Sequence, residues 1–270
     1  MSLLVAIVRQ TVDDILSAPG RAFVCLMPCI AGAAILIGLL VVYSNLITGF
    51  PGTATIAAAV ILFVIFVFTC YTWTAVAWHR MVILSEPSRG LMPPWPGSLI
   101  TGYIGRSLLL MILLLVLMIP FFIVFSAVNT VLPLGSDGQS FKFMLGEPPT
   151  SFAPQYLLVW VLFNGILAGL LLRISLILPG GAIGHPIPLA AAWDATRGHF
   201  LSLFVPLGLL LPIINFVFSL VSSVASFGGV LEILSAMLLL LLGIGVVTRL
   251  YMLFFPTANA DGSGDLPLAA

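Results

Sequence analysis

Charge is what this chain has least of. Only 7% of its 270 residues are Asp, Glu, Lys or Arg, against 61% apolar residues, whereas a soluble domain carries about 25% charged residues. That shortage excludes a water-solvated globular enzyme. Several apolar runs also exceed the roughly 20 residues that cross a bilayer core, so the chain reads as an all-α integral membrane protein. Lysine is scarcer still, with Lys142 the single example. The formal net charge of zero carries no information about partners, because what matters in a membrane protein is where each charge lies.

Groups able to do chemistry are equally thin. Cys25 and Cys29 share a helix face and Cys70 lies elsewhere. No His or carboxylate adjoins them, so they read as packing residues rather than ligands. His79, His185 and His199 lack metal-ligand spacing. There is no serine nucleophile elbow, phosphate-cradling glycine loop or paired-carboxylate constellation. The expectation is therefore no enzymatic activity and no cofactor. Proton-coupled carriers need carboxylates at depth, and only Glu232 lies near a span, in its first turn. Asn164 and Asn215 are mid-span amides, a type that more often joins helices. Pro120, Pro206 and Pro212 are possible kinks that could line a cavity.

What is present is a set of long apolar runs, predicting six spans near 22–45, 53–78, 105–128, 156–178, 201–224 and 229–255. They form one transmembrane domain, 1–256, followed by a short flexible cytoplasmic tail, 257–270. The opening "MSLLVAIVRQTVDDILSAPG" puts Arg9, Asp13 and Asp14 inside its first apolar stretch and has no cationic leader. It is not expected to be a cleaved secretory signal. Arg9, Arg21, Arg80, Arg89, Arg106, Arg173, Arg197 and Arg249 all fall on one side of these spans, and the 129–155 loop on the other side holds Lys142. Positive charge collects in cytoplasmic loops, so both termini are expected in the cytoplasm of a bacterial inner-membrane protein. Trp78, Trp95 and Trp193 cluster at the same face, at the level that amphipathic rings favour.

The arginines also suggest internal repetition. "HRMVILSEP", "LRISLILPGG" and "TRLYMLFFPT" each place an arginine (Arg80, Arg173, Arg249) near the end of an even-numbered span. Gly20-Arg21, Gly105-Arg106 and Gly198-His199 stand at the entrances of odd-numbered spans, 85 and then 93 residues apart. Three helical-hairpin repeats, near 1–88, 89–181 and 182–256, follow from this pattern. Each would open with a short amphipathic lead-in helix. In 3–17, Leu4, Val5, Val8, Val12, Ile15 and Leu16 share one face, and Arg9, Gln10, Asp13, Asp14 and Ser17 the other. In 186–200, Pro188 starts a helix carrying Leu189, Trp193 and Phe200 on one side. The 93–105 segment is interrupted by Pro96 and Gly97. Such helices either lie in the headgroup plane or dock on their own bundle. Gly165 and Gly169, four apart, predict close approach of a neighbouring helix.

Arg173 is the sharpest feature, an ionised group inside an apolar run. Intramembrane arginines face the bundle and find a partner. Candidates are Asp194 or another group of 186–200, and Asp13 or Asp14. The alternative is a ligand role, in which Arg80, Arg173 and Arg249, with Arg21, Arg106, Arg197 and Asp194 nearby, ring a site for an anionic headgroup.

The stretch "RISLILPGGAIGHPIPLAAAWDATRGHF" (173–200) resembles the recurring element of the multi-pass membrane domain fused to some glycerophosphodiester phosphodiesterases, and of its stand-alone bacterial relatives. The resemblance implies a membrane domain. The phosphodiesterase barrel and its metal-binding carboxylates have no counterpart in this sequence, so that activity does not carry over. The expected function is a non-catalytic membrane scaffold or binding module, engaging anionic lipid, a membrane-protein partner or a second copy at its cytoplasmic face. The rival is a transporter or channel for a small or lipidic substrate. No nucleic-acid partner is expected.

Overall fold

The computed structural model describes residues 3–46, 53–86, 90–131, 154–224 and 228–256. Arg89, Lys142, most of the 129–155 loop and the 257–270 tail lie outside these, as do the side chains of Asn164, Pro212, Asn215 and Glu232. Every regular element among the described residues is helical: α1 (Leu3–Ser17), α2 (Pro19–Leu46), α3 (Thr53–Ile83), α4 (Gly97–Val131), α5 (Pro154–Ser175), α6 (Ile177–Ala182), α7 (Leu189–Ala195), a π-helical turn (Phe200–Phe204), α8 (Val205–Val224) and α9 (Gly228–Phe254). Five stretches are long and apolar enough to cross a membrane: Pro19–Leu39, Ala58–Ile83, Gly97–Val124, Gly165–Ala182 and Leu234–Phe254.

Proline chemistry explains where the helices depart from the sequence reading. The fourth apolar run breaks between Ser175 and Ile177 instead of continuing to 178. Pro179 has no N–H to give the Ser175 carbonyl, and its ring crowds that oxygen. Pro206 likewise cannot donate to Ser202, and the chain widens into the π turn just before it, with Val205 N–H donating to Phe200 O. Pro96 fixes the start of α4, because the N–H groups of Leu99 and Ile100 both reach back to its carbonyl. The 97–104 stretch is thus the first two turns of α4. The second lead-in segment, 93–105, therefore forms no helix of its own: 93–96 is irregular and the rest belongs to α4, which corrects the expectation of a separate amphipathic helix there.

The helices α3, α4, α5, α8 and α9 pack each on the next, and α9 returns to α3, forming a ring. Helix α2 covers the outside of α3. The short α6 sits in the ring against α3, α4 and α9, with Leu176, Ile177, Pro179, Gly180, Gly181 and Ala182 all buried. Glycine sets the α5–α8 seam. A Cβ on Gly169 would stand 3.0 Å from Phe204 O, and one on Gly208 would overlap the Gly169 backbone. The Gly165–Gly169 pair therefore does bring two backbones together, as its spacing predicts.

Burial concentrates where α3, α5 and α9 end. Away from that end, residues 58–65 of α3 are exposed in unbroken succession, and they are apolar on every face. A helix apolar all round is stable only inside a protein or inside lipid.

Helix α1 docks on α9 and α2. Its face is rotated from the expected one. Ile7 and Thr11 are buried and Asp14 is half-buried, while Val5 and Leu16 are exposed. Thr11 belongs inside because its hydroxyl donates to Ile7 O at 2.9 Å and its methyl fills the space left by Gly245 of α9.

Candidate functional site

The three span-ending arginines do not share a partner; each is held by separate groups of the chain. Arg80, in the last turn of α3, is bidentate to Glu86 just beyond the helix: Nε donates to Oε2 at 2.9 Å and Nη2 to Oε1. Its Nη1 donates to the carbonyl of Ala182, at 3.3 Å. Arg249 of α9 is bidentate to Asp14 of α1, with Nε to Oδ2 at 2.7 Å and Nη2 to Oδ1.

Arg173 is different. It is 7% exposed and forms no ion pair among the described residues. Its Nε donates to Thr196 Oγ1 at 2.5 Å and its Nη2 to Trp193 O at 2.5 Å. Its Cζ lies 3.7 Å from the centre of the Trp193 ring. A neutral carbonyl, a hydroxyl and the negative face of an indole together solvate the cation. Thr196 can accept from Arg173 because its own proton goes to Ala192 O at 2.8 Å. The 186–200 segment does supply the partner, but not through Asp194, whose exposed carboxylate makes no hydrogen bond among the described residues. Asp13 goes to Arg9 instead, in an exposed i,i+4 pair at 3.7 Å.

The residues just before two of these arginines meet at the centre. His79 Nδ1 and Thr248 Oγ1 are 2.8 Å apart, and His79 Nε2 lies 3.3 Å from Tyr103 Oη. Thr248 gives its proton to Ile244 O at 2.7 Å. Its oxygen must then accept from His79, which makes Nδ1 the protonated nitrogen and leaves Nε2 to accept from Tyr103. All three side chains are buried, so a neutral imidazole ties α3, α4 and α9 together. The sequence reading left His79 without a role, although its place directly before Arg80, matching Thr248 before Arg249, was a usable signal.

Three arginines stand apart from these pairs. Among the described residues no hydrogen bond or ion pair holds Arg21, Arg106 or Arg197. Arg21 and Arg197 are exposed at the edge of the helices. Arg106 is half-buried within α4, and its guanidinium lies against Gly181 of α6, where a Cβ would stand 2.8 Å from Cζ. The cysteines occupy the α2–α3 seam, with Cys25 Sγ 3.8 Å from Met81 Sδ and Cys29 Sγ 3.2 Å from Thr74 Oγ1. Trp95 meets Trp73 edge-to-face at 4.8 Å, and Trp73 Nε1 donates to Pro94 O at 3.2 Å.

No family model, no curated protein and no solved structure matches this chain.

Proposed function

We propose that this chain is a non-catalytic, multi-pass inner-membrane binding module that engages anionic lipid headgroups with its arginine-rich end, and that this end is cytoplasmic. One observation carries the reading. Of the six arginines at the ends and entrances of the spans, Arg80, Arg173 and Arg249 are held by protein groups, whereas no described residue holds Arg21, Arg106 or Arg197. A cation left without a protein acceptor at the edge of hydrocarbon is matched by water or by a lipid anion. Against passage of a solute stands the packing of this end, where Leu176 to Ala182 fill the ring.

The same reading takes α8, whose 20 residues suffice to span, as the sixth crossing, and takes the three hairpins as repeats. Arg249 of the third is received by the lead-in helix of the first, and Arg173 of the second by that of the third. Arg80 of the first borders a cleft also lined by Pro93, Pro94 and Pro96 of the second. Arg80 itself is held by Glu86 of its own repeat and by Ala182 O of the third, so two of the three arginines follow a cyclic hand-over; that partial pattern supports a pseudo-threefold plan, in keeping with the resemblance carried by 173–200.

Thermal unfolding in mild detergent tests the function. Added phosphatidylglycerol is expected to raise the midpoint several degrees more than phosphatidylcholine, and the triple variant R21Q/R106Q/R197Q to lose that difference. Equal stabilisation of the natural sequence by both lipids overturns the reading.

A further inference from the structure

Resting on that reading, we propose that Arg106 and the glycine turn beside it form a discrete site for the phosphate of one anionic phospholipid, approached from the lipid-facing side of α4. The three arginines without a partner among the described residues are not equivalent. Arg21 and Arg197 are exposed and can be hydrated. Arg106 alone of the three is half-buried inside a membrane-crossing stretch, with none of its five donors engaged by a described residue.

Depth fits a phosphate. With 35 residues, α4 is about 52 Å long. A hydrocarbon core of about 30 Å leaves about 11 Å at each end of a centred helix. Arg106, the tenth residue of α4, lies about 14 Å from its start, just inside the hydrocarbon boundary. There a guanidinium reaches the phosphate layer by a short extension of its side chain.

The surroundings select for a lipid. Gly181 has no side chain, so the guanidinium packs against its backbone. On the other side of the same turn Arg80 donates to Ala182 O, but Glu86 already neutralises it. Net positive charge therefore remains on the Arg106 side. Arg106 borders the lipid-facing strip of α4, where Thr101, Gly105, Leu108 and Leu109 are exposed, followed by Met111 and Ile112. The strip is polar at Ser98 and Thr101 and apolar beyond Arg106, matching a headgroup above and an acyl chain below. A planar guanidinium meets a phosphate bidentately, which an ammonium cannot do.

Native mass spectrometry of the full chain, titrated with phosphatidylglycerol, phosphatidylcholine or inorganic phosphate, tests the site. One phosphatidylglycerol is expected to stay bound under activation that strips phosphatidylcholine. R106Q should weaken it about tenfold or more, and R21Q/R197Q should retain it. R106K keeps the charge and is expected to bind more weakly than the natural sequence, which keeps the test open if R106Q folds poorly. Retention by R106Q or R106K equal to that of the natural sequence overturns the site. Displacement of the lipid by millimolar inorganic phosphate overturns its assignment to lipid. No preference for phosphatidylglycerol in the natural sequence overturns the broader function as well, whereas a preference untouched by R106Q removes this site alone.

Discussion

Asp14 and Arg249 lie 235 residues apart and form a two-pronged ion pair that fastens the first helix to the last. Both side chains are about one-fifth exposed. The pair is thus partly desolvated, and removing one partner leaves a charge with no acceptor.

Asp14→Ala is expected to destabilise the protein by about 1–3 kcal/mol and to loosen α1 from α9. Asp13→Ala, one residue away but paired only with Arg9 in water, should change little. A double-mutant cycle with Arg249→Ala, read by thermal unfolding, isolates the pair. Additive effects of the two substitutions would show that no coupling exists.

A second prediction concerns Arg173. Its partners are Trp193 and Thr196, and Asp194 contributes no hydrogen bond. Thr196→Val should therefore cost about 1–3 kcal/mol by stranding a guanidinium donor, while Asp194→Asn should be nearly silent. Because Arg173 is buried and solvated by protein groups, Arg173→Ala should lower the melting temperature equally with and without phosphatidylglycerol. Stabilisation by that lipid that vanishes in Arg173→Ala would return Arg173 to the ligand site.

Five of the six apolar runs expected to cross were legible as long apolar helices, because a membrane crossing demands a long apolar run whatever its neighbours are. The return of 186–200 to Arg173 was legible because the intervening loop is too short to go elsewhere. Its chemistry was not. A search for counter-charges finds Asp194, whereas the groups that bind are a main-chain carbonyl, a hydroxyl and a ring face, which carry no charge in the sequence. Face assignment failed at α1 for a related reason. Hydrophobicity places Asp14 outside, but a distant arginine makes the interior acceptable to it, and nothing local to 3–17 announces Arg249. The π turn before Pro206 was missed because a proline in an apolar run announces a kink without saying how the backbone absorbs it.

The last prediction concerns the buried imidazole. His79 is 1% exposed and bridges Thr248 and Tyr103. Since the Thr248 proton is committed to Ile244 O, Nδ1 must carry a hydrogen, and burial disfavours a second, charge-bearing hydrogen on Nε2. Nitrogen NMR of the labelled ring distinguishes this tautomer from the Nε2–H form. Thr248→Val removes the acceptor and should cost about 1–3 kcal/mol. It should also drive the hydrogen to Nε2, where the Tyr103 oxygen can accept it and recover part of the loss. Tyr103→Phe removes the longer contact, so it should cost less, about 1 kcal/mol, and leave the Nδ1–H tautomer in place. His79→Phe fills the space but strands the Thr248 oxygen and the Tyr103 O–H at once, and should be worse than Tyr103→Phe. An Nε2–H ring in the natural sequence, or an unchanged tautomer in Thr248→Val, would contradict this account of how α3, α4 and α9 are joined.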